Sequence, residues 1–231
     1  MVPLNSRQLT GRETTHVQEV PGLAHLRLHP QVHVALAGLR EASAAAGIEL
    51  EVVSAFRDFE RQSAIWNGKF RGERPLLDHA GQPLEVGKLD DLQRVRTILI
   101  WSALPGASRH HWGTDFDVID RAALAALGPD YRVQLTVAEF TGEGPFVRLN
   151  EWLAGNMANH GFFRPYTTDR GGVRPEPWHL SYAPVSVPAL QSFSLEILKD
   201  AIDGSELAGR ETVLALLPEL YDRYVRSVDS P

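Results

Sequence analysis

The sequence predicts an α+β fold, in which a small, mostly antiparallel sheet is flanked by helices and followed by a helical C-terminal extension. Strand-like segments are scattered among helical ones without a regular βαβ rhythm, which favours an antiparallel sheet. Hydrophobic residues make up 43% of the 231 residues, enough to build a sizeable core. We therefore divide the chain into an irregular N-terminal segment (1–22), a main domain (23–185) and a helical extension (186–231) that packs on it.

The first half of the main domain has clear helix boundaries. Pro30 is a good first-turn residue, and Gly47 is suited to end the helix that begins there. Asp58 can cap the next helix. The predicted elements are a helix over 30–46, a half-buried strand over 48–56, a helix over 59–70, a long loop over 71–88 and a helix over 89–99.

The second half alternates short strands with helices and ends in a helical tail. The pattern predicts strands over 114–119, 161–163 and 177–182, helices over 121–127 and from 149 towards 161, a loop over 169–175, and tail helices over 190–202 and 211–228. In the last helix an apolar stripe through Val213, Leu217 and Leu220 indicates packing on the main domain. The alternative is that this stripe forms a homodimer or partner surface.

The composition excludes several classes of protein. The formal net charge of −6 argues against a nucleic-acid binder, which would usually present a basic face. No apolar run approaches the ~18–20 residues that a membrane-spanning helix needs. The chain has no cysteine, which removes disulfides, thiolate catalysis and cysteine-based metal sites. Any metal must therefore be held by His, Asp or Glu.

The sequence as given begins without the basic stretch and apolar run of a secretory signal. We expect a cytoplasmic protein as the sequence stands, or a periplasmic or cell-wall-associated one if a leader has been removed.

Three segments concentrate polar residues that a core does not need. In the first, Arg57 lies between a strand and a helix, and Gln62 falls in the first turn of that helix. A guanidinium there can present its planar fork to a carboxylate or to a developing oxyanion. The alternative is that Arg57 forms a surface salt bridge.

The second segment places two acidic residues after a pair of histidines. Gly113 lets the chain fold back so that His110 lies beside Asp117, and on a strand Asp115 and Asp117 share one face. A histidine with a carboxylate is two-thirds of a catalytic zinc set. The alternative is a surface histidine pair beside a solvated acidic strand.

The third segment combines a glutamate and a histidine. Trp178 and Leu180 face inward on a predicted strand, so His179 faces the opposite side. Glu176 would point away from His179 in a regular strand, but Pro177 interrupts that regularity and both can reach one site. The alternative for His179 is a strand residue bonded to backbone.

The three segments together support one chemistry. A histidine, an aspartate and a second histidine can supply three zinc ligands and leave a fourth position for water. Zinc lowers the pKa of its bound water towards ~7, and a nearby glutamate that is not a ligand can take the proton of that water. Arg57 can then stabilise negative charge on the tetrahedral intermediate.

The motifs Ser-x-x-Arg, Ser-x-His-x-x-Gly-x-x-x-Asp and Glu-x-x-His occur here in this order. Their order and spacing resemble those of the zinc D-alanyl-D-alanine peptidases of the VanX/VanY type, over roughly residues 25–185. The resemblance implies a compact hedgehog/D,D-peptidase-like α+β domain. It also implies hydrolysis of the peptide bond next to a C-terminal D-amino acid in peptidoglycan peptides.

Carried over by position, the resemblance assigns roles to individual residues. His110, Asp117 and His179 would ligate one zinc ion per chain. Glu176 would be the general base and then the proton donor to the leaving amine, and Arg57 would stabilise the oxyanion. The positions matching the family's substrate-lining residues are Gln62, Ser108 and Trp178.

Three positions depart from the family pattern or leave its register open. Phe56 stands where a tyrosine is common, and Asp115 replaces a small residue two positions before the ligand Asp117. Asp115 could be a partner for a ligand histidine, or it could perturb the charge of the metal site. His111 beside His110 allows a register shifted by one, and we choose His110 because its spacing to Gly113 and Asp117 fits the motif.

The leading hypothesis is a zinc D,D-carboxypeptidase, a metallopeptidase of cell-wall peptides. An L,D-carboxypeptidase, a D-Ala-D-Ala dipeptidase and a cross-link endopeptidase share the metal chemistry, and the loops at 71–88 and 169–175 would distinguish them. A non-catalytic zinc-containing binding module is the alternative of a different class. It would not need Glu176 or Arg57, which argues against it.

Overall fold

The computed structural model describes residues 3–231, and within this range four strands form one antiparallel sheet. They lie in the order β3-β4-β6-β5, where β3 is Leu50–Ser54, β4 is Asp115–Asp120, β5 is Phe162–Phe163 and β6 is His179–Tyr182. A separate antiparallel pair is formed by β1 (Gln18–Val20) and β2 (Leu23–Leu28). The predicted α+β fold with a small antiparallel sheet is confirmed.

Helices surround this sheet and supply most of the remaining structure. The α-helices of the described residues are α1 (Ser6–Leu9), α2 (Pro30–Ala45), α3 (Phe59–Phe70), α4 (Asp91–Trp101), α5 (Arg121–Ala126), α6 (Val137–Phe140), α7 (Val147–Asn156), α8 (Ala183–Ser192), α9 (Leu195–Ile202) and α10 (Arg210–Tyr221). Short 3-10 turns cover Val86–Lys88, Arg109–Trp112 and Met157–His160, and a π-helical turn covers Asp222–Arg226.

Local signals explain where the helices of the main domain begin. Pro30 occupies the first turn of α2. The Asp58 side chain accepts a hydrogen bond from the backbone N–H of Arg61 at 2.7 Å, as predicted for the start of α3. At α4, Asp90 and Gln93 form a reciprocal capping box.

Two apolar clusters form the interior of the described residues 3–231. One packs α2 and α7 against the sheet, with Leu36, Val118 and Leu153 fully buried. The other packs α3 and α4 against the C-terminal helices, around Trp66 and Leu217. Both clusters are continuous apolar interiors, so each contributes hydrophobic stabilisation of its own.

The N-terminal segment is more regular than the sequence predicted. The prediction of an irregular 1–22 is wrong for the described part: Asn5 caps α1, and β1 pairs with β2. Leu9 is buried, and its carbonyl accepts a hydrogen bond from the Trp112 indole at 3.0 Å. Met1 and Val2 lie outside the described residues.

The predicted helical tail is confirmed, but its helices have boundaries that differ from the predicted ones. The predicted single helix over 190–202 is wrong, because the chain leaves helical geometry at Phe193 and Ser194 caps α9 anew. A serine hydroxyl competes well for exposed backbone N–H groups at a helix start. The predicted stripe through Val213, Leu217 and Leu220 is buried against α3 and α4, so it packs on the main domain and is not a free surface.

The long loop over 71–88 holds a 3-10 turn at its end and an isolated bridge between Leu77 and Pro83. Among residues 3–231, no helix has the length and apolar character to span a bilayer.

Candidate active site

The centre of the sheet brings the second and third motifs together. His110 lies on the 3-10 turn that precedes β4, Asp117 lies on β4, and His179 opens β6. The antiparallel register pairs Asp117 directly with His179. Side chains directly opposite one another on one face of a sheet are close neighbours, so this register places an aspartate beside a histidine.

Gly113 is required where the 3-10 turn ends. Its φ of 68° lies in the left-handed region, and a Cβ there would meet Val17 at 2.3 Å and the His29 backbone nitrogen at 2.9 Å. Any other residue would therefore clash as well as strain the backbone. The turn aims His110 towards Asp117, with 3.6 Å between Nε2 and Oδ2.

His110, Asp117 and His179 form a compact, buried cluster of potential ligands. Their ligating atoms all lie within 4.8 Å of one another. His179 Nδ1 is 3.4 Å from Asp117 Oδ1, yet that oxygen makes no hydrogen bond of acceptable geometry with any described residue. Two imidazole nitrogens and a carboxylate oxygen are the donor set of a catalytic zinc site with an open position. The residues present therefore fit the metal.

Each imidazole of the cluster is oriented by a hydrogen bond at its far nitrogen. His110 Nδ1 lies 2.9 Å from the Ala55 carbonyl oxygen, and His179 Nε2 lies 3.0 Å from Asp115 Oδ1. This leaves His110 Nε2 and His179 Nδ1 facing Asp117. Such contacts are usual behind metal-binding histidines.

His111 points elsewhere. Its Nδ1 donates to the Arg57 carbonyl oxygen at 2.6 Å, and its Nε2 accepts the Gly106 backbone N–H at 3.1 Å. Both nitrogens are used within the structure, and burial lowers the pKa of His111 to about 4. His111 is thus a neutral, buried residue that ties two loops together.

Glu176 lies beside the cluster without belonging to it. Its Oε2 is 3.2 Å from His179 Nδ1, and its backbone N–H donates to the Tyr166 carbonyl oxygen at 2.8 Å. The chain between Glu176 and β6 is not part of the strand, so the glutamate reaches the same side as His179. Burial raises the pKa of Glu176 above its ordinary value.

The pKa values of the two cluster histidines are shifted in opposite directions. Burial, together with the nearby charge of Arg57, lowers the pKa of His110 to about 3. Burial also acts to lower the pKa of His179, but its hydrogen bond to Asp115 and the nearby carboxylates of Asp117 and Glu176 raise that pKa well above 6.5. The two histidines therefore have different charge preferences within the same cluster.

A small cleft opens onto the cluster. The residues lining it are Arg57, Trp101, Ser102, Ala103, Ser108, Arg109, His110, Tyr166, Val173, Glu176 and His179. Ser108 is buried, and its Oγ finds no hydrogen-bond partner within residues 3–231. The Arg57 Nε is likewise unpartnered among these residues. Both atoms remain available to a polar ligand.

Two residues expected at the substrate site lie elsewhere. Among the described residues, Gln62 does not line this cleft. Its Nε2 donates to the carbonyl oxygen of Ala103 at 2.7 Å, so Gln62 supports a residue of the cleft wall. Trp178 packs in the core with its ring centroid 5.6 Å from that of Phe140. Its alternation with Leu180 on the inward face already indicated this placement.

The structure also adds residues that the sequence did not single out. Tyr166 places its ring edge against His179, with 5.1 Å between centroids, and burial raises its pKa to about 12. Arg109 is buried beside Asp115, with 2.7 Å between Nε and Oδ1. Tyr166 lies outside the three motifs, while Arg109 lies within the second motif and could have been weighed from its place beside His110.

Comparisons with known proteins match this chain to one described family and to two relatives. A family model described as VanY, D-alanyl-D-alanine carboxypeptidase, matches residues 25–185. Two proteins of Haemophilus influenzae, each named only as an uncharacterized protein, are 42% identical over 103 residues and 35% identical over 124 residues. These matches cover 44% and 53% of this chain, and 70% and 92% of the relatives.

Solved structures share the fold. VanYB in complex with D-alanine-D-alanine has a TM-score of 0.53 at 19% identity, over 84% of this chain and 92% of that one. A vancomycin-resistance D,D-pentapeptidase VanY variant in complex with Zn(II) has a TM-score of 0.52 at 20% identity, over 91% and 93%. The LdcB LD-carboxypeptidase has a TM-score of 0.52 at 17% identity, over 85% and 81%.

Proposed function

This chain belongs to the VanY family of D-alanyl-D-alanine carboxypeptidases, and on that premise we propose that it is a zinc-dependent carboxypeptidase of peptidoglycan peptides. The bond it hydrolyses is the one before a C-terminal D-alanine, in a peptide ending in D-Ala-D-Ala. The observation that carries the proposal is the buried cluster of His110, Asp117 and His179 with Glu176 beside it, at the base of a cleft that Arg57 also lines.

The cluster would hold one zinc ion through His110 Nε2, the Asp117 carboxylate and His179 Nδ1. A zinc ion bound to such a set acts as a Lewis acid towards a carbonyl and makes water acidic enough to attack near neutral pH. The three side chains are rigidly placed, because two lie on paired strands and the third on a turn fixed by Gly113. This rigidity supports a site that is formed before substrate binds.

Glu176 is the group that moves the proton. Its carboxylate takes a proton from the attacking water and later gives it to the amide nitrogen of the departing D-alanine. Burial raises the pKa of Glu176 above its ordinary value, which suits a group that must both accept and donate a proton. A base of this kind typically contributes about 10²–10⁴-fold to the rate.

Arg57 and Ser108 bind and orient the substrate. Arg57 is a half-buried cation close enough to Asp117 and Glu176 to interact with their charges. Its unpartnered Nε can donate to the oxygen that becomes negative during the attack. The free Ser108 hydroxyl offers a further hydrogen bond to the peptide.

Removal of D-alanine after an L-centre is the second candidate, because the LdcB LD-carboxypeptidase has the same fold. A D-Ala-D-Ala dipeptidase uses the same ligands and base. These activities differ in the space available to the amino-terminal side of the substrate, so substrate length distinguishes them.

The test is D-alanine release by the zinc-loaded protein from three substrates: a pentapeptide ending in D-Ala-D-Ala, a tetrapeptide with an L-centre before D-Ala, and the free D-Ala-D-Ala dipeptide. The pentapeptide with a C-terminal amide serves as the matched control. We expect D-alanine release from the free pentapeptide at the highest kcat/KM, and little release of D-alaninamide from the amide. Release from none of the three substrates would leave a zinc-containing binding module and overturn the proposal.

A further inference from the structure

A buried carboxylate that belongs to no proposed ligand set lies directly behind His179. Asp115 is fully buried on β4, and its Oδ1 accepts a hydrogen bond from His179 Nε2 at 3.0 Å. The other ring nitrogen, Nδ1, lies 3.4 Å from Asp117 Oδ1 and 3.2 Å from Glu176 Oε2. The imidazole of His179 is therefore held between Asp115 on one side and the carboxylates of Asp117 and Glu176 on the other.

Asp115 is itself fixed by a buried network. Arg109 Nε donates to its Oδ1 at 2.7 Å, and Thr114 Oγ1 donates to its Oδ2 at 2.5 Å. Ser181 Oγ lies 3.1 Å from Oδ2 and accepts a hydrogen bond from Arg109 Nη2 at 2.6 Å. All these side chains are buried. A carboxylate at this depth is stable because the paired guanidinium and the hydroxyls replace its water.

The network determines which nitrogen of His179 is available. An imidazole that ligates a metal is neutral, with its proton on one nitrogen and a lone pair on the other. An ionised carboxylate can accept but not donate, so Asp115 keeps the proton on Nε2 and leaves the lone pair on Nδ1. The arrangement at His110 differs, because its far nitrogen faces the neutral Ala55 carbonyl. A charged acceptor also makes the imidazole a more electron-rich ligand.

We propose that Asp115 is the positioning residue of the metal site: it holds His179 in the orientation and tautomer that present Nδ1 to zinc, and Arg109, Thr114 and Ser181 hold Asp115. This inference rests on the proposed function, since it takes His110, Asp117 and His179 as the ligands. Asp115 acts through His179 and does not touch the substrate.

Zinc affinity, measured by competition with a chromophoric chelator, tests the assignment. Asp115→Ala is expected to bind zinc about 10–100-fold more weakly than the unaltered protein. Asp115→Asn is expected to lose less, because its amide oxygen can still accept the Nε2 proton. Asp120→Asn is the control: this carboxylate lies on the same strand but caps α5, and zinc affinity should not change.

A second variant guards against a simple folding defect. Asp115→Ala leaves Arg109 buried without its counter-charge, so it is compared with Asp115→Ala combined with Arg109→Met, which removes both charges. Both variants are expected to bind zinc weakly. Imidazole ¹⁵N NMR of the zinc-loaded unaltered protein supplies a readout independent of stability: we expect His179 protonated at Nε2 and metal-bound at Nδ1.

The outcomes separate the two claims. Failure of the unaltered protein to bind zinc would overturn the proposed function, and this inference with it. Tight zinc binding by the unaltered protein and equally tight binding by the Asp115 variants would overturn this inference alone, as would coordination of His179 through Nε2.

Discussion

His110 and His111 are adjacent in sequence, but the fold gives their imidazoles opposite surroundings. His110 faces Asp117 with Nε2, whereas both nitrogens of His111 are bonded to backbone. Motif spacing selected His110 as the ligand, and the geometry agrees with that register. The difference between the two residues is one of partners and not of burial, since both are buried.

Alanine substitution of each histidine tests this difference. His110→Ala removes a proposed ligand, so zinc content should fall from about one ion per chain towards none. His111→Ala breaks two buried hydrogen bonds, so it should keep zinc while losing about 1–3 kcal/mol of unfolding free energy. Elemental analysis and urea unfolding measure the two effects. The reverse ranking of zinc content would show that the register is shifted by one.

Substitution of Glu176 separates metal binding from catalysis. Glu176→Gln keeps the size of the side chain but cannot take a proton, so D-alanine release should fall by about 10²–10⁴-fold. Zinc content should stay near that of the unaltered protein, because Glu176 is not a ligand. Turnover at the normal rate in this variant would rule out the assigned base.

The motif residues of the site were predictable, and some of its lining was not. The resemblance of the three motifs to those of the VanX/VanY-type peptidases implied that His110, Asp117, His179 and Glu176 would meet. Tyr166 was not predictable, because it reaches the cluster from a loop with no periodicity and no motif. Trp178 was assigned to the substrate site from the family resemblance, whereas the structure packs it in the apolar core beside Phe140.

Asp229 in the tail forms several hydrogen bonds to the loop between β5 and β6. Asp229 Oδ2 accepts the backbone N–H groups of Thr167 and Thr168 at 2.8 and 2.9 Å, and Oδ1 accepts from Arg170 Nη2 at 2.7 Å. The same loop is closed at its base by the bond between Glu176 N–H and the Tyr166 carbonyl. The C-terminal extension therefore supports the loop that carries three residues of the cleft, Tyr166, Val173 and Glu176.

Asp229→Asn should loosen this loop. Because the amide cannot pair with Arg170, we expect hydrogen-exchange protection of the Thr167 and Thr168 amides to fall about tenfold, the loss of about 1.4 kcal/mol of charged hydrogen bonding. Zinc content should not change. Asp203→Asn, another substitution in the tail, is the control, and equal protection in both variants would contradict the role of Asp229.

The pH dependence of this contact has a definite sign. Burial alone would raise the pKa of Asp229, but its hydrogen bonds to Thr167, Thr168 and Arg170 lower it well below its ordinary value. A carboxylate with a depressed folded-state pKa contributes stability that is complete above the unfolded pKa of about 3.9 and is lost as pH falls below it. Protection of the two amides should therefore decline below about pH 4 in the unaltered protein and less in Asp229→Asn.

Element boundaries followed the strength of local signals. The start of α3 was predictable because Asp58 is a strong cap. The break between α8 and α9 was not, because Phe193 and Ser194 interrupt an otherwise continuous apolar pattern without glycine. The α1 turn was missed because a single turn has no periodicity to detect.

At the scale of the whole molecule, residues 3–231 form two apolar clusters, and the extension completes the one around Trp66. Leu217 of α10 is packed with Trp66 of α3 and Val95 of α4. The extension therefore shares an apolar core with α3 and α4 of the main domain, although the family model ends at residue 185.

Leu217→Ala tests whether the extension is integral. The substitution leaves a cavity in a closed core, so it should lower the free energy of unfolding by about 2–5 kcal/mol. Leu127→Ala is the matched control, because that leucine is 43% exposed and its loss should change the free energy by less than about 0.5 kcal/mol. Urea denaturation measures both. Equal costs would mean that the extension folds apart from the main domain.

Zinc content and D-alanine release, measured on one purified sample, test directly whether the activity depends on zinc. Zinc per chain is determined by elemental analysis, and D-alanine release from a pentapeptide ending in D-Ala-D-Ala is assayed before chelation, after chelation and after zinc is restored. We expect about one zinc ion per chain, loss of D-alanine release with the chelator and recovery of release with zinc. Release that persists in the zinc-free protein, or a chain that takes up no zinc, would contradict this expectation.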